Sequence, residues 1–277
     1  MSQSPPPTLV DTHAHLDDPR YRETLGEVLD RASRSGVAQI VAIGTTAQDS
    51  AHLVALAARS PGIFAAVGVH PNNASEAGPD DWAAITTLAH KPNVVAIGET
   101  GLDRHWPDTP FHEQLAWLDR HLELAQSRDL PIVVHCRDAI QDCIEYFGRI
   151  NRPIRGVMHA FHGTWENAQA FLEMGFFLSF AGMVTFTNKN LDPLREAAAN
   201  VPIDRLLIET DSPYLTPHPF RGKTNEPAHV TLTAQRLAEL RGIPLEQLAL
   251  DCTHNARTLF RLPKDRILLH SGSSRPD

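Results

Sequence analysis

Lysine is nearly missing from this sequence. Four lysines, at 91, 189, 223 and 264, stand beside 21 arginines, and Asp plus Glu outnumber Lys plus Arg by 33 to 25. The formal net charge of −8 leaves no global basic footprint for nucleic acid. That counts against strong non-specific binding but not against phosphate chemistry, because bound metals supply positive charge locally. Cysteine is equally sparse: Cys136, Cys143 and Cys252 form no C-x-x-C. With no secretory leader, a reducing cytoplasm is the expected compartment. No apolar run approaches the length of a membrane span, so no membrane association is expected. The first strand candidate is not followed by G-x-G-x-x-G, which disfavours an open dinucleotide-binding sheet.

What is present is a regular alternation. The 277 residues, 42% of them apolar, suit one large α/β domain. Strands are expected at 8–13, 38–44, 63–69, 94–99, 131–135, 154–159, 176–180 and 205–210. Most are continuous apolar runs such as Pro131-Ile-Val-Val134, as in strands buried on both faces of a parallel sheet. Amphipathic helices are expected between them, at 21–35, 47–60, 81–90, 111–128, 138–149, 164–174 and 191–200. Further helices follow at 227–241, 244–250 and 254–261. Eight strands alternating with helices predict a (β/α)8 TIM barrel, a single domain over 8–262. Residues 1–7 read as a disordered lead-in and 263–277 as a flexible tail. The segment from Ser212 to Pro227, with prolines at 213, 217, 219 and 227, is long for a connection, and long loops are often functional.

Chemistry-bearing residues recur where the strands end. The first strand ends in His13-Ala-His15, whose two imidazoles share a face because strand side chains alternate. Later strands end in His70, Glu99, His135, His159 and the run Glu209-Thr-Asp211. In a parallel barrel these ends converge on one rim, where active sites sit. His13, His15, His135 and His159 would then surround Glu99 and Asp211. Divalent metals would relieve the cost of burying two carboxylates. None of the four lysines ends a strand, so a carboxylated lysine cannot bridge two metals, and Glu99 is placed to do so. Asp11 shares the face of His13 and His15 and is a candidate to support them. Cys136 faces away from the rim by alternation with His135; Cys143 and Cys252 read as core. His52, His90, His112 and His121 fall in helical stretches and are expected to face solvent. His70, Asp103, Arg137, His162, Arg221 and Lys223 are candidate substrate contacts.

Seven segments in order resemble one family. They are Asp11-Thr-His-Ala-His15, Gly68-Val-His-Pro71, Ile97-Gly-Glu-Thr-Gly-Leu-Asp103, His135-Cys-Arg137, His159-Ala-Phe-His-Gly163, Glu209-Thr-Asp-Ser-Pro213 and Asn225-Glu-Pro227. Together, over about 8–262, the chain resembles the TatD-type metal-dependent deoxyribonucleases. The resemblance implies a (β/α)8 barrel, a two-metal centre and hydrolysis of DNA phosphodiesters, often from the 3′ end. It places the ligands on His13, His15, Glu99, His135, His159 and Asp211. Ala160 and His162 stand where the family commonly has Cys and Ser, and Arg104–Pro110 is shorter than usual. These departures leave the metal ligands intact and bear on substrate contacts.

The expected activity is a cytoplasmic 3′–5′ exodeoxyribonuclease with two divalent ions, Mg, Mn or Zn. It would act as a monomer on single-stranded DNA or a 3′ end, with Asp211 as base and Glu99 as bridge. The alternative on the same centre is an ester or amide hydrolase, for example an aminoacyl-tRNA deacylase. A metal-binding protein without catalysis is a third reading, disfavoured because six ligands shared by two ions leave positions open.

Overall fold

The computed structural model describes residues 7–269. Eight parallel strands form one sheet in sequence order: β1 (Leu9–Ala14), β2 (Val37–Ile43), β3 (Ile63–Val67), β4 (Val94–Asp103), β5 (Ile132–Arg137), β6 (Gly156–Met158), β7 (Phe177–Phe180) and β8 (Leu206–Ile208). Helices α1 (Leu25–Arg34), α2 (Ala47–Arg59), α3 (Pro79–Leu88), α4 (Phe111–Ser127), α5 (Ile140–Gly148), α6 (Trp165–Glu173), α7 (Asp192–Asn200), α8 (Val230–Arg241) and α9 (Leu245–Phe260) alternate with or follow them. This is the expected (β/α)8 barrel in a single domain. No helix among the described residues is long and apolar enough to cross a membrane.

Period-2 alternation divides the strand residues between two cores. Val10, Val41, Phe64, Val95, Val133, Val157, Phe177 and Leu207 belong to one cluster, which Leu259 and Phe260 of α9 join. The alternate residues, among them Ile40, Ile63, Ile97, Ile132 and Leu178, pack with the helices. Cys136, Cys143 and Cys252 all lie in this second layer, buried.

β1 meets the segment that follows β8 through an isolated parallel bridge, Ala14 to Ser212, rather than a full ladder. Two backbone bonds extend it, Asp211 N–H to the His13 carbonyl (3.0 Å) and His15 N–H to the Ser212 carbonyl (2.8 Å). Side chains complete the seam. The buried Asp11 carboxylate accepts from the Thr210 N–H (2.9 Å) and hydroxyl (2.6 Å), and Thr12 donates to the Ile208 carbonyl (2.9 Å).

Several expectations are corrected. α9 is one helix rather than two at 244–250 and 254–261. Leu248, Cys252, Ala256 and Leu259 keep one apolar face continuous at helical spacing, and no breaker interrupts it. The expected flexible tail begins docked: Gln39 donates to the Pro263 and Arg266 carbonyls (2.8 Å each), and Leu268 is buried. Residues 1–6 of the expected lead-in and 270–277 of the tail lie outside the described residues. Strand four runs on to Asp103 instead of ending at Glu99. Gly98 (φ 138°) and Gly101 (φ 148°) give it two backbone turns that residues with a Cβ rarely adopt, and the register on β5 shifts between Ile97 and Thr100.

His121 is buried, unlike the exposed His52, His90 and His112. It lies on the same face of α4 as Leu118, Leu122 and Ala125. Its Nε2 accepts from the Val69 N–H (3.0 Å), and its Nδ1 donates to the Trp117 carbonyl (2.7 Å). Burial pushes its pKa down to about 4. Below an unfolded value of about 6.5 the unfolded chain therefore binds the extra proton, and stability falls with pH until about 4 is reached. The full effect is about 3 kcal/mol. His121→Gln removes this proton site. Denaturant titrations should show the stability gap between wild type and variant shrinking by about 2 kcal/mol from pH 7 to pH 4.5. A gap that does not change with pH would refute the assignment.

Candidate metal centre

The strand ends bring His13, His15, His70, Glu99, His135, His159 and Asp211 together at the C-terminal rim. All but the fully buried His13 line a cavity of about 750 Å³. Glu99 sits at its floor and faces both ways. Its Oε2 is 3.3 Å from His13 Nε2 and 3.7 Å from His15 Nε2. Asp211 Oδ1 is 3.6 Å and 3.4 Å from the same two nitrogens, which are themselves 3.2 Å apart. Ligands at about 2.0–2.1 Å around a tetrahedral ion are about 3.3–3.4 Å from one another. These atoms therefore stand at coordination spacing, and Glu99 Oε2 is buried with no hydrogen-bond partner.

The other oxygen, Glu99 Oε1, faces His159 Nε2 (2.7 Å) and His135 Nδ1 (2.9 Å), which are 3.2 Å apart. The outer nitrogens decide which ring atoms are free. His15 Nδ1 donates to the Ile43 carbonyl (3.2 Å). His135 Nε2 donates to Asp103 Oδ2 (3.0 Å), and His159 Nδ1 to Glu209 Oε1 (3.3 Å). Each imidazole so held points its other nitrogen at the centre, a lone pair it would offer to a cation in exchange for a proton. His70 is the reverse. Its Nδ1 accepts from the Asn72 N–H (3.1 Å), so the proton is on Nε2, 3.6 Å from Glu99 Oε1. His70 offers the cavity an N–H donor.

The protonation tendencies describe a cluster that wants positive charge. Burial would raise Glu99, but His159, His13 and His70 outweigh it and hold the carboxyl well below its usual range. Asp211 is likewise lowered by the His15, His13 and His159 rings against the opposing effect of burial. His159 is raised well above the ordinary imidazole range, because Glu99 and Glu209 outweigh its desolvation. With hard oxygen and borderline nitrogen donors and no thiolate, the residues fit a divalent cation.

Residues 10–261 match the family described as TatD related DNase. The chain belongs to the TatD family. It is 41% identical over 255 residues to the uncharacterized metal-dependent hydrolase YabD of Bacillus subtilis (strain 168), covering 92% of this chain and 99% of that protein. It is 36% identical over 261 residues to the 3′-5′ ssDNA/RNA exonuclease TatD of Erwinia billingiae (strain Eb661), covering 92% and 100%. Among solved structures, the TatD homolog YjjV of Escherichia coli K12 superposes with a TM-score of 0.86 at 30% identity, over 92% of this chain and 98% of that one. The protein is a metal-dependent hydrolase of the TatD family.

The substrate-contact candidates divide. His70, Asp103 and Arg137 line the cavity of this TatD-family barrel; His162, Arg221 and Lys223 do not. Asp103 is turned onto His135 and onto the backbone N–H groups of His105 (2.7 Å) and Trp106 (3.0 Å). His162 Nδ1 lies 3.3 Å from the Ala160 carbonyl. Arg221 lies 3.7 Å over the Phe186 ring and Lys223 5.6 Å from that of Phe220. Asp11 makes its hydrogen bonds to Thr210 and the His13 N–H, not to either imidazole ring. Asp211 itself is in the left-handed region (φ 53°), where non-glycine residues are uncommon, and its N–H is tied to β1.

Two residues at the centre carry roles that the sequence reading did not assign. Glu209 accepts from the Ala160 N–H (2.7 Å) as well as holding His159. The signal was its spacing of two from Asp211 at a strand end. Buried Asn225 donates to the carbonyls of Thr210 (2.9 Å) and Tyr214 (2.6 Å) and so fixes the loop that carries Asp211. Its position in Asn225-Glu-Pro227 marked it as a motif without indicating what it would hold.

Proposed function

We propose that this protein is a 3′–5′ exodeoxyribonuclease that hydrolyses phosphodiester bonds of single-stranded DNA, working as a cytoplasmic monomer with two divalent ions, Mg, Mn or Zn. The observation that carries the reading is one buried carboxylate, Glu99, presenting one oxygen to His13 and His15, beside Asp211, and the other to His135 and His159. When bound, the ions acidify water and stabilise charge on the attacking and leaving oxygens of a phosphodiester. His13, His15 and Asp211 would hold one ion and His135 and His159 the other, with Glu99 offering an oxygen to each set. Asp211, ionised and at the cavity wall, orients the attacking water and takes its proton. His70 donates its Nε2–H to a phosphate oxygen. Asp103 and Glu209 act through His135 and His159, fixing ring orientation. Arg137, at the cavity wall, neutralises a neighbouring phosphate.

The 36% identical exonuclease supports the choice of DNA over an acyl substrate. The same centre is able in principle to polarise a carbonyl, so the test sets the two side by side. Metal-loaded protein is given 5′-labelled single-stranded DNA and an aminoacyl-tRNA under single-turnover conditions. Stepwise shortening of the DNA with intact aminoacyl ester is expected. Deacylation with intact DNA would overturn the reading in favour of an ester hydrolase.

A further inference from the structure

Two large aromatic side chains stand exposed at the cavity mouth. Trp106 is 48% exposed and Tyr214 50%, and both line the cavity. Trp106 belongs to the loop from β4 to α4 and Tyr214 to the loop from β8 to α8. In an eight-stranded ring β4–β5 and β8–β1 lie across from one another, so the rings flank the metal centre from opposite sides. Each is tied to the donor set on its own side. The Tyr214 N–H donates to the Asp211 carbonyl (2.8 Å), and its ring centroid is 5.9 Å from that of His15. The Trp106 N–H donates to Asp103, the carboxylate that holds His135.

Each ring is also backed by a cation. The Arg20 guanidinium lies 4.5 Å over Tyr214 and is gripped by both oxygens of Asp18 (2.8 Å each). The Arg137 guanidinium lies 5.7 Å from the centroid of Trp106. His105, held by Asp138 (3.0 Å), meets Trp106 edge to face at 4.8 Å. These neighbours fix the two rings while leaving about half of each surface open. Rings left this open beside the cavity offer a flat face to an aromatic ligand.

We propose that Trp106 and Tyr214 are stacking platforms for nucleobases on the two sides of the bond to be cut, one platform at each end of the metal centre. This rests on the nuclease reading and adds the residues that select an unpaired strand. Stacking tolerates every base because each has a π-face, and it needs no basic groove. It thus suits a chain of net charge −8 whose Arg221 and Lys223 lie over phenylalanine rings and do not line the cavity. A base-paired end cannot open its bases to both platforms without being melted.

The test uses full-length metal-loaded enzyme, with metal content matched across Trp106→Ala, Tyr214→Ala and the corresponding Phe variants. The substrates are a single-stranded oligodeoxynucleotide and the same strand carrying abasic residues at its last two 3′ positions. On the base-bearing strand each Ala variant should raise KM by roughly 5- to 150-fold, more than it lowers kcat, and Phe should recover most of the loss. On the abasic strand wild type should be weakened already, with little further loss in the Ala variants. Unchanged KM on the base-bearing strand, or equal losses on both strands, overturns the platforms while leaving the nuclease reading intact. A wild type that cleaves neither strand overturns both.

Discussion

Asp211→Asn should lower kcat on single-stranded DNA by at least about 100-fold, because removal of a general base costs about 10²- to 10⁴-fold. Asparagine keeps the shape and one oxygen but loses the charge and the basic site. The loss should fall on the chemical step. KM should move far less, because the proposed phosphate contacts are assigned to His70, Arg137 and the ions rather than to Asp211. Asp211 Oδ1 also lies within 3.6 Å of two imidazole nitrogens, so the variant must be compared at matched metal saturation. Metal analysis beside single-turnover kinetics separates the two effects. A variant with full metal content and near-native kcat would sink the general-base assignment.

Glu99→Gln should fail by another route. Both oxygens of Glu99 face imidazole nitrogens, and glutamine replaces one of them by an NH₂ that has no lone pair to offer. Whichever way the amide turns, one donor set loses its oxygen and the shared charge is gone. Loss of a supporting contact to a ligand typically costs about 10- to 100-fold in metal affinity, and loss of a ligand should cost no less. Metal content should therefore fall first, with activity following it and partly returning as metal is raised. Titration of the apo-protein followed by calorimetry reads this directly. Native-like affinity for both ions would remove Glu99 from its bridging place.

The centre was legible because its members occupy strand ends, where period two and barrel topology fix position and direction. The pair His13 and His15 is a local pattern, and Glu99, His135, His159 and Asp211 follow the same rule on other strands. Partners brought together by the fold were harder to read. Asp103 is 32 residues from His135, and Glu209 is 50 from His159, so no window of sequence shows that one holds the other. Asp103 was further hidden because two glycines carry strand four past the point where its apolar run stops. The positive charge of Arg221 and Lys223 gave no direction, and both lie over phenylalanine rings instead of the cavity. Trp106 and Tyr214, in loops without periodicity, gave no sequence signal at all.

The barrel closes where β1 meets β8, and His13, His15 and Asp211 come from the two sides of that junction. A local opening there would separate Asp211 from both imidazoles in the same motion that breaks the last turn of the ring. Cation binding and ring closure would thus draw on one free energy: an ion held by these residues would act as a clasp, and the hydrogen bonds of Asp11, Thr12 and Thr210 keep the two sides of the junction aligned. Substitutions in those three side chains, none of which touches the cavity, would loosen the grip on metal by letting the barrel breathe.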